Sequence, residues 1–219
     1  MSRGVAPGAL TVVKLGGSFA FSPDLPSLLD AMDAAATPFV IVAGGGPFAD
    51  TVRLAQPRMR FDERAAHRMA LLAMAQYAEA LCSLSPRLQV AANLAAIRAA
   101  IGAGRLPIWS PWPLADGLET LPESWDLTSD SLAAWLASRL QASRLLLLKH
   151  RDPPAGPMNL RQIAKLGIVD PLFPDYARQS GASVCWLGPS RFPALTAILD
   201  GREAAGLSLG REIREHHHA

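Results

Sequence analysis

Lysine is scarce in this chain of 219 residues. Lysine and arginine together number 21, but only Lys14, Lys149 and Lys165 are lysines. A compositional bias toward arginine explains the scarcity. The three lysines that remain then mark positions where the planar guanidinium fork does not replace a compact ammonium group. Lys165 falls in a short, polar predicted helix that favours a surface position, so Lys14 and Lys149 are the candidates for chemistry.

Other scarcities exclude whole classes of protein. Cys82 and Cys185 are the only cysteines, and two distant thiols form neither a disulfide framework nor a metal set. The net charge of +2 is too small to indicate a nucleic acid or a membrane surface as partner. No apolar run reaches the roughly 20 residues of a membrane helix, and no signal peptide is visible. We therefore expect a cytoplasmic protein.

The chain is rich in apolar residues. Half of its residues are hydrophobic and 18% are charged, which predicts a packed core and not disorder. The length suits one generous domain, so residues 1–219 are predicted to form a single domain with a core at about 9–200 and a tail at 202–219. His216–His218 in that tail are either native or the remnant of a purification tag.

Short apolar runs alternate with helical patterns along the chain. Strands are predicted at 9–15, 38–43, 88–91, 106–110, 145–148 and 183–187. Helices are predicted at about 24–36, 48–56, 62–82, 93–103, 128–141, 160–166, 174–180 and 193–199, with Pro57 ending the second. This order predicts a three-layer α-β-α sandwich around a mostly parallel sheet.

The segment Lys14-Leu15-Gly16-Gly17-Ser18 closes the first predicted strand. Two glycines let backbone N–H groups converge on an anion, and the helix start that follows adds partial positive charge. Lys14 adds a full charge. Together these groups suit a phosphoryl group in transfer, where catalysis is mostly positioning and charge stabilisation. Because similar turns occur in folds that bind no anion, the segment needs support from a second feature.

Gly44-Gly45-Gly46 closes the next predicted strand and supplies that support. Two glycine turns at the carboxyl ends of adjacent parallel strands face the crevice where open α/β sheets bind ligands. Farther along, Asp126 and Asp130 lie at the start of a helix that Thr128 or Ser129 is expected to cap. Carboxylates there are ordinary partners of the helix dipole, but Asp130 beside a lysine would instead hold that lysine in place.

Three motifs occur in a familiar order: Lys-x-Gly-Gly-Ser at 14–18, Gly-Gly-Gly-x-Phe-Ala at 44–49 and Ser-Trp-x-x-Thr-Ser-Asp-Ser-Leu at 124–132. In this order they resemble the amino acid kinase superfamily of aspartate, glutamate and uridylate kinases, over about residues 9–200. Within it the chain is most similar to small archaeal-type kinases of methanofuran biosynthesis. Those kinases use ATP to phosphorylate an (aminomethyl)furanylmethyl phosphate to its diphosphate. The resemblance implies a homo-oligomeric enzyme of one-carbon metabolism.

The resemblance also implies roles for matched residues. Lys14 would contact the transferred phosphoryl group, and Asp130 would organise the catalytic lysines. The ATP phosphates and the reaction centre would be held by Gly16, Gly17 and Ser18. The acceptor would be bound by Gly44, Gly45, Gly46, His67 and Asp126. For His67, a packed or solvated histidine on a mostly apolar helix is an equally good interpretation.

The nucleotide side departs from the family's pattern. Relatives read Thr-Asp-Val-Asp-Gly where this chain reads Lys149-His150-Arg151-Asp152-Pro153, so Asp152 keeps its register while the first aspartate and the glycine are lost. Lys149 either supplies a second catalytic cation paired with Asp130, or the ATP site is weakened and the protein binds a phosphorylated ligand without turnover. A lysine that leaves a buried strand into a crevice favours the first account. Arg191 would reach a nucleotide phosphate.

Some alternatives stay open from the sequence. The run from Trp109 to Pro113 either walls the acceptor pocket with flat apolar surface or fills the core at a sheet edge. A carboxylate or carbamate remains a possible acceptor in place of a phosphate. No cluster has metal-ligand spacing, so Mg²⁺ is expected to arrive with ATP and to be held mainly by its phosphates.

Overall fold

A computed structural model describes residues 10–114, 116–205 and 207–209. His216–His218 and most of the predicted tail lie outside these residues. The strands are β1 (Thr11–Leu15), β2 (Phe39–Ala43), β3 (Leu88–Ala91), β4 (Leu106–Trp109), β5 (Arg144–Leu148), β6 (Ser183–Leu187) and β7 (Leu207–Ser208). They form one sheet in the order β3-β4-β2-β1-β5-β6-β7. Strands β1 to β6 are parallel, and β7 adds an antiparallel edge that the sequence pattern did not predict.

Eight α-helices are described: α1 (Leu25–Asp33), α2 (Gly46–Met59), α3 (Glu63–Leu84), α4 (Leu94–Gly102), α5 (Ser129–Leu140), α6 (Leu160–Lys165), α7 (Phe173–Ser180) and α8 (Leu195–Leu199). Short 3₁₀ helices occupy Gly17–Phe21, Leu118–Thr120 and Pro189–Ala194. In the described part of the chain, no helix has the length and apolar character needed to cross a membrane.

Helices cover both faces of the sheet because the central strands are apolar on both sides. Val12 of β1 packs in a cluster with α4, α5, α6 and α7. Its neighbour Val13 points to the opposite face and packs with α1 and α8. Helix α3 contributes to both clusters. The three-layer α-β-α sandwich with a mostly parallel sheet is therefore confirmed.

Pro57 does not end the second helix, contrary to the prediction. Helix α2 continues through Pro57 to Met59 and closes at Arg60, whose φ of 59° is left-handed. The Arg60 N–H donates to the Gln56 carbonyl at 2.8 Å. Pro57 lacks the N–H that would bond to the Arg53 carbonyl, but the chain stays helical for two more residues until the left-handed cap at Arg60 ends the helix.

Candidate active site

The two glycine turns touch each other at the carboxyl ends of β1 and β2. The strands are paired in register from Thr11↔Phe39 to Leu15↔Ala43, and the Gly44 N–H donates to the Leu15 carbonyl at 2.9 Å. A Cβ on Gly17 would overlap the Gly46 backbone nitrogen and lie 2.7 Å from its Cα. The glycines therefore allow two backbones to approach closely, which a Cβ at Gly17 would prevent.

Gly17→Ala is expected to push the two turns apart and to lower both the melting temperature and any turnover, with turnover falling at least about tenfold because small displacements of a reaction centre are costly. Gly102→Ala is the matched control, since Gly102 ends α4 and a Cβ there meets nothing within 4 Å. Thermal melts and steady-state rates on both variants check the prediction. Equal behaviour of the two variants would contradict it.

Lys14, Asp130 and Lys149 form one hydrogen-bonded cluster beside the glycine turns. The Lys14 Nζ lies 2.9 Å from the Asp130 Oδ1. The Lys149 Nζ donates to both Asp130 carboxylate oxygens, at 3.0 and 3.1 Å, and to the Ile168 carbonyl at 2.6 Å. Lys14 lies on β1, Lys149 directly follows the neighbouring strand β5, and Asp130 lies in the first turn of α5. Parallel pairing thus brings two ammonium groups to one carboxylate, where both contact the Asp130 Oδ1.

Burial and charge act together on this cluster. Lys14 and Asp130 are 6% and 5% exposed. Burial alone would raise the pKa of Asp130, but the charges of Lys14 and Lys149 outweigh it and hold that pKa below its usual range. Burial, followed by repulsion from Lys14, lowers the pKa of Lys149 to about 8. The cluster therefore holds an ionised Asp130 against two cations, one of which titrates near physiological pH.

A pocket opens from this cluster along α2 and α3. Next to the cluster, the pocket is lined by Lys14, Gly17, Ser18, Gly44, Gly45, Gly46 and Asp130. Helix α2 begins there, and its N-cap residue Gly45 provides no side-chain cap. The uncapped first turn leaves backbone N–H groups and the positive end of the helix dipole free for an anion.

The same pocket is also lined by His67, Trp125 and Arg53. The Arg53 guanidinium lies 4.5 Å from the centre of the Trp125 ring, and the Trp125 Nε1–H donates to Gln56 on α2 at 2.7 Å. His67 is 6% exposed and its Nδ1 lies 3.3 Å from the Ser124 carbonyl. Burial lowers the pKa of His67, against the opposing effect of that carbonyl. An aromatic ring, a guanidinium and an imidazole thus line the same pocket as Lys14.

A match to a family model identifies the family to which this chain belongs. Residues 9–152 match the model of the amino acid kinase family. The chain belongs to the amino acid kinase family. Among curated proteins it is similar to the [5-(aminomethyl)furan-3-yl]methyl phosphate kinase of Methanocaldococcus jannaschii, with 25% identity over 179 residues that cover 77% of this chain and 82% of the relative.

Solved kinases share the fold. The uridylate kinase of Archaeoglobus fulgidus superposes with a TM-score of 0.70 at 17% identity, over 91% of this chain and 99% of its own. An isopentenyl phosphate kinase superposes with a TM-score of 0.60 at 17% identity, over 91% of this chain and all of its own. The family and the kinases among its neighbours support a phosphotransferase activity for this amino acid kinase.

Some of the residues singled out from the sequence lie away from the pocket of this amino acid kinase. Asp126 is exposed and does not line it. Gly16 precedes the 3₁₀ helix and does not line the pocket, although a Cβ on it would lie 3.7 Å from the Lys14 Nζ. Trp109 is 2% exposed and stacks on Trp135 in the core. The aromatic side chain in the pocket wall is Trp125, whereas Trp109 fills the core.

On the predicted nucleotide side, Asp152 and Arg191 are engaged with the chain itself. Asp152 accepts hydrogen bonds from the Ser190 N–H and hydroxyl, at 3.1 and 2.7 Å. Arg191 pairs with Glu203 at 2.9 Å and donates to the Ala204 carbonyl. Neither residue lines the pocket that contains Lys14. These contacts hold the loop after β6 in place.

Three functional candidates were not found from the sequence. Arg53 and Trp125 line the pocket, and Asp170 is a buried carboxylate whose partners lie at the start of α5. Trp125 belongs to the same motif as Asp130, and that position was the available signal for it. The link from Asp170 to α5 carried no signal, because Thr128 and Ser131 are about 40 positions away in the chain, and only its bond to the Phe173 N–H is local.

Proposed function

We propose that this protein is an ATP-dependent small-molecule kinase that phosphorylates the phosphate group of an (aminomethyl)furan-type intermediate, as in methanofuran-type cofactor biosynthesis. The observation that carries the proposal is the Lys14–Asp130–Lys149 cluster, of which Lys14 and Asp130 line the pocket and Lys149 lies behind them on Asp130. The family match and the printed activity of the archaeal relative support it. The products would be ADP and the corresponding diphosphate.

The two lysines provide the charge stabilisation that phosphoryl transfer requires. An oxygen of the acceptor phosphate attacks the γ-phosphorus in line, and the bond from that phosphorus to the β,γ-bridging oxygen breaks as ADP leaves. Lys14 and Lys149 stabilise the charge on the transferring group, and Asp130 holds both ammonium groups in place. Because the acceptor is already anionic, no side chain is required to remove a proton.

The glycine turns fit a phosphate-rich donor. Gly17 packs against the Gly44–Gly46 turn at a distance that a Cβ would block, and it lines the pocket together with Ser18, whose hydroxyl would face the donor phosphates. No group of three His, Cys, Asp or Glu side chains suited to a metal occurs among the described residues. Mg²⁺ would therefore arrive with ATP, be held mainly by its phosphates and neutralise part of their charge.

The acceptor would lie along α2 with its phosphate next to Lys14. Asp50 and Arg53 follow Gly46 on the pocket side of this helix, about 6 Å and 10 Å along its axis. A furan ring would pack on Trp125, and the Asp50 carboxylate would face the aminomethyl group. The anionic acceptor phosphate would favour protonated His67 against the effect of burial, and the imidazole would donate to it from Nε2, since its Nδ1 is already directed at the Ser124 carbonyl.

The direct test incubates the protein with Mg²⁺–ATP and synthetic [5-(aminomethyl)furan-3-yl]methyl phosphate. ³¹P NMR should show a new diphosphate in amounts equal to the ADP formed. Glutamate, aspartate and carbamate serve as competing acceptors. Turnover with one of these and none with the furan phosphate would favour the carboxylate or carbamate alternative. Calorimetric binding of the furan phosphate without ADP formation would identify a kinase fold that binds without turnover.

His67→Ala is expected to raise the KM of the phosphate acceptor by about 10- to 100-fold, the cost of one hydrogen bond to a charged group. The kcat and the KM for ATP should change little, and the latter is the internal control. Since His67 binds the phosphate when protonated, the acceptor KM of the wild type should also rise with pH. Indifference of the acceptor KM to this substitution would favour a carboxylate acceptor.

A further inference from the structure

Asp170 is a buried carboxylate that joins the starts of two helices. Its Oδ2 accepts from the Thr128 N–H at 3.0 Å, the Thr128 hydroxyl at 2.9 Å and the Ser131 N–H at 3.0 Å. Its Oδ1 accepts from the Ser131 hydroxyl and from the Phe173 N–H, the latter at 2.9 Å. Thr128 caps α5 by position but makes no side-chain cap of its own. Asp170 therefore takes over the capping of α5 and links it to α7.

The segment around Asp170 contacts the catalytic cluster and its surroundings at three points. Asp130 lies between Thr128 and Ser131, the two residues of the α5 start that Asp170 holds. The Ile168 carbonyl accepts the Lys149 ammonium at 2.6 Å. The Leu172 N–H donates to the Asp126 carbonyl at 3.2 Å, next to the pocket wall at Trp125. Residues 168–172 thus fix both Asp130, through the start of α5, and the Lys149 ammonium that binds it. None of these residues lines the pocket.

The chemistry of Asp170 differs from that of an ordinary buried ion pair. Among the described residues, the buried charged side chains are Lys14, Asp130 and Asp170, besides the imidazole of His67. Lys14 and Asp130 pair with each other, whereas the hydrogen bonds to Asp170 come from N–H and O–H groups. The positive ends of α5 and α7 both point at Asp170 and offset part of its charge, although burial and the nearby Asp130 carboxylate still raise its pKa. Such a carboxylate is costly unless every donor keeps its place, so it fixes the geometry of the donors.

We propose that Asp170 is a positioning residue for phosphoryl transfer, which sets the distance between Asp130 and Lys149 by holding the start of α5 and the Ile168 carbonyl in one rigid unit. The proposal rests on the kinase activity proposed above. Asp170 acts through the geometry of the cluster and not through contact with either substrate.

Asp170→Asn tests the proposal because it keeps the shape of the side chain and replaces one carboxylate oxygen by an NH₂ group. That group faces N–H or O–H donors and cannot accept a hydrogen bond from them. The kcat is expected to fall about 10²-fold, as for other small misplacements of catalytic groups, with both KM values within about threefold of wild type. Asp200→Asn is the matched control. Asp200 accepts from the Ala36 and Thr37 N–H groups, both at 2.9 Å, and lines no part of the pocket.

A second readout does not depend on turnover. Since the chain has only three lysines, [ε-¹³C]lysine labelling gives three NMR signals, which Lys→Arg variants assign. In Asp170→Asn the titration midpoint of Lys149 should move to lower pH, because its ammonium loses the firm hold of the Ile168 carbonyl. In Asp200→Asn it should stay in place. A shift in a protein that proves inactive as a kinase would separate the positioning inference from the proposed function.

Ser131→Ala is a milder variant for the case in which Asp170→Asn folds poorly. Ser131 is fully buried, lines no part of the pocket and gives one hydroxyl to Asp170. It should lower kcat about three- to tenfold and move the Lys149 midpoint in the same direction, since it loses one of five donors. The proposal is overturned if folded Asp170→Asn or Ser131→Ala matches Asp200→Asn in kcat and in the Lys149 midpoint.

Discussion

Lys14→Ala is expected to lower kcat by about 10³-fold or more, the effect of removing one preorganised charge from a transition state. Lys14 is buried on β1 with its Nζ 2.9 Å from Asp130, so its position is fixed before substrates bind. The fold should survive, because Asp130 keeps Lys149 as a partner and no carboxylate is left unpaired. ADP release in a coupled assay measures the effect, and circular dichroism checks the fold.

Two further variants sharpen this test. Lys165→Ala removes the third lysine, which is exposed on α6, and should leave kcat unchanged. Lys14→Arg keeps the charge but brings a planar fork that does not fit the position of a compact ammonium, so it should restore little activity. If Lys14→Ala retained activity within tenfold of wild type, Lys14 would have no role in the transfer step.

Lys149→Met should lower kcat at pH 7 by about 10³-fold, for the same reason as at Lys14. It should also change the pH profile. Burial and the neighbouring Lys14 lower the pKa of Lys149 to about 8, so the wild-type enzyme loses its second cation as pH rises through that value. The kcat/KM for ATP should then fall about tenfold per pH unit above it. Methionine has the length of the lysine stem but no charge, so this alkaline limb should disappear.

The same [ε-¹³C]lysine spectrum assigns the limb, because the Lys149 signal should titrate at the pH where the rate falls. Burial raises the pKa of Cys82 to about 11 and that of Tyr77 to about 12, so these two groups titrate above the limb. A limb that persisted in Lys149→Met would therefore belong to a group outside the cluster and would remove Lys149 from the transfer step. Nucleotide phosphates should move the limb of kcat itself to higher pH, since they favour the charged lysine.

Local patterns predicted the elements well because each is written in a few adjacent residues. The strands at β1, β2 and β5 are apolar runs closed by glycine or lysine, and the long α3 has its Asp62 cap, which accepts from the Ala65 N–H at 2.8 Å. Pro57 was misjudged because a proline removes one backbone N–H donor but does not by itself stop a helix, whose end here is set by the left-handed cap at Arg60. The two-residue β7 carried no pattern and exists through pairing with β6.

For the site, the sequence by itself determined which residue types were available. It has three lysines, two glycine turns and an aspartate at a helix start, and these already pointed to phosphoryl transfer. The parallel sheet decided which of them meet, because only pairing in register brings Lys14 and Lys149 together at Asp130. It also decided that Trp125, and not Trp109, faces the pocket and that Asp170 holds the start of α5. Those contacts join residues far apart in the chain, so their geometry follows from packing and not from any local pattern.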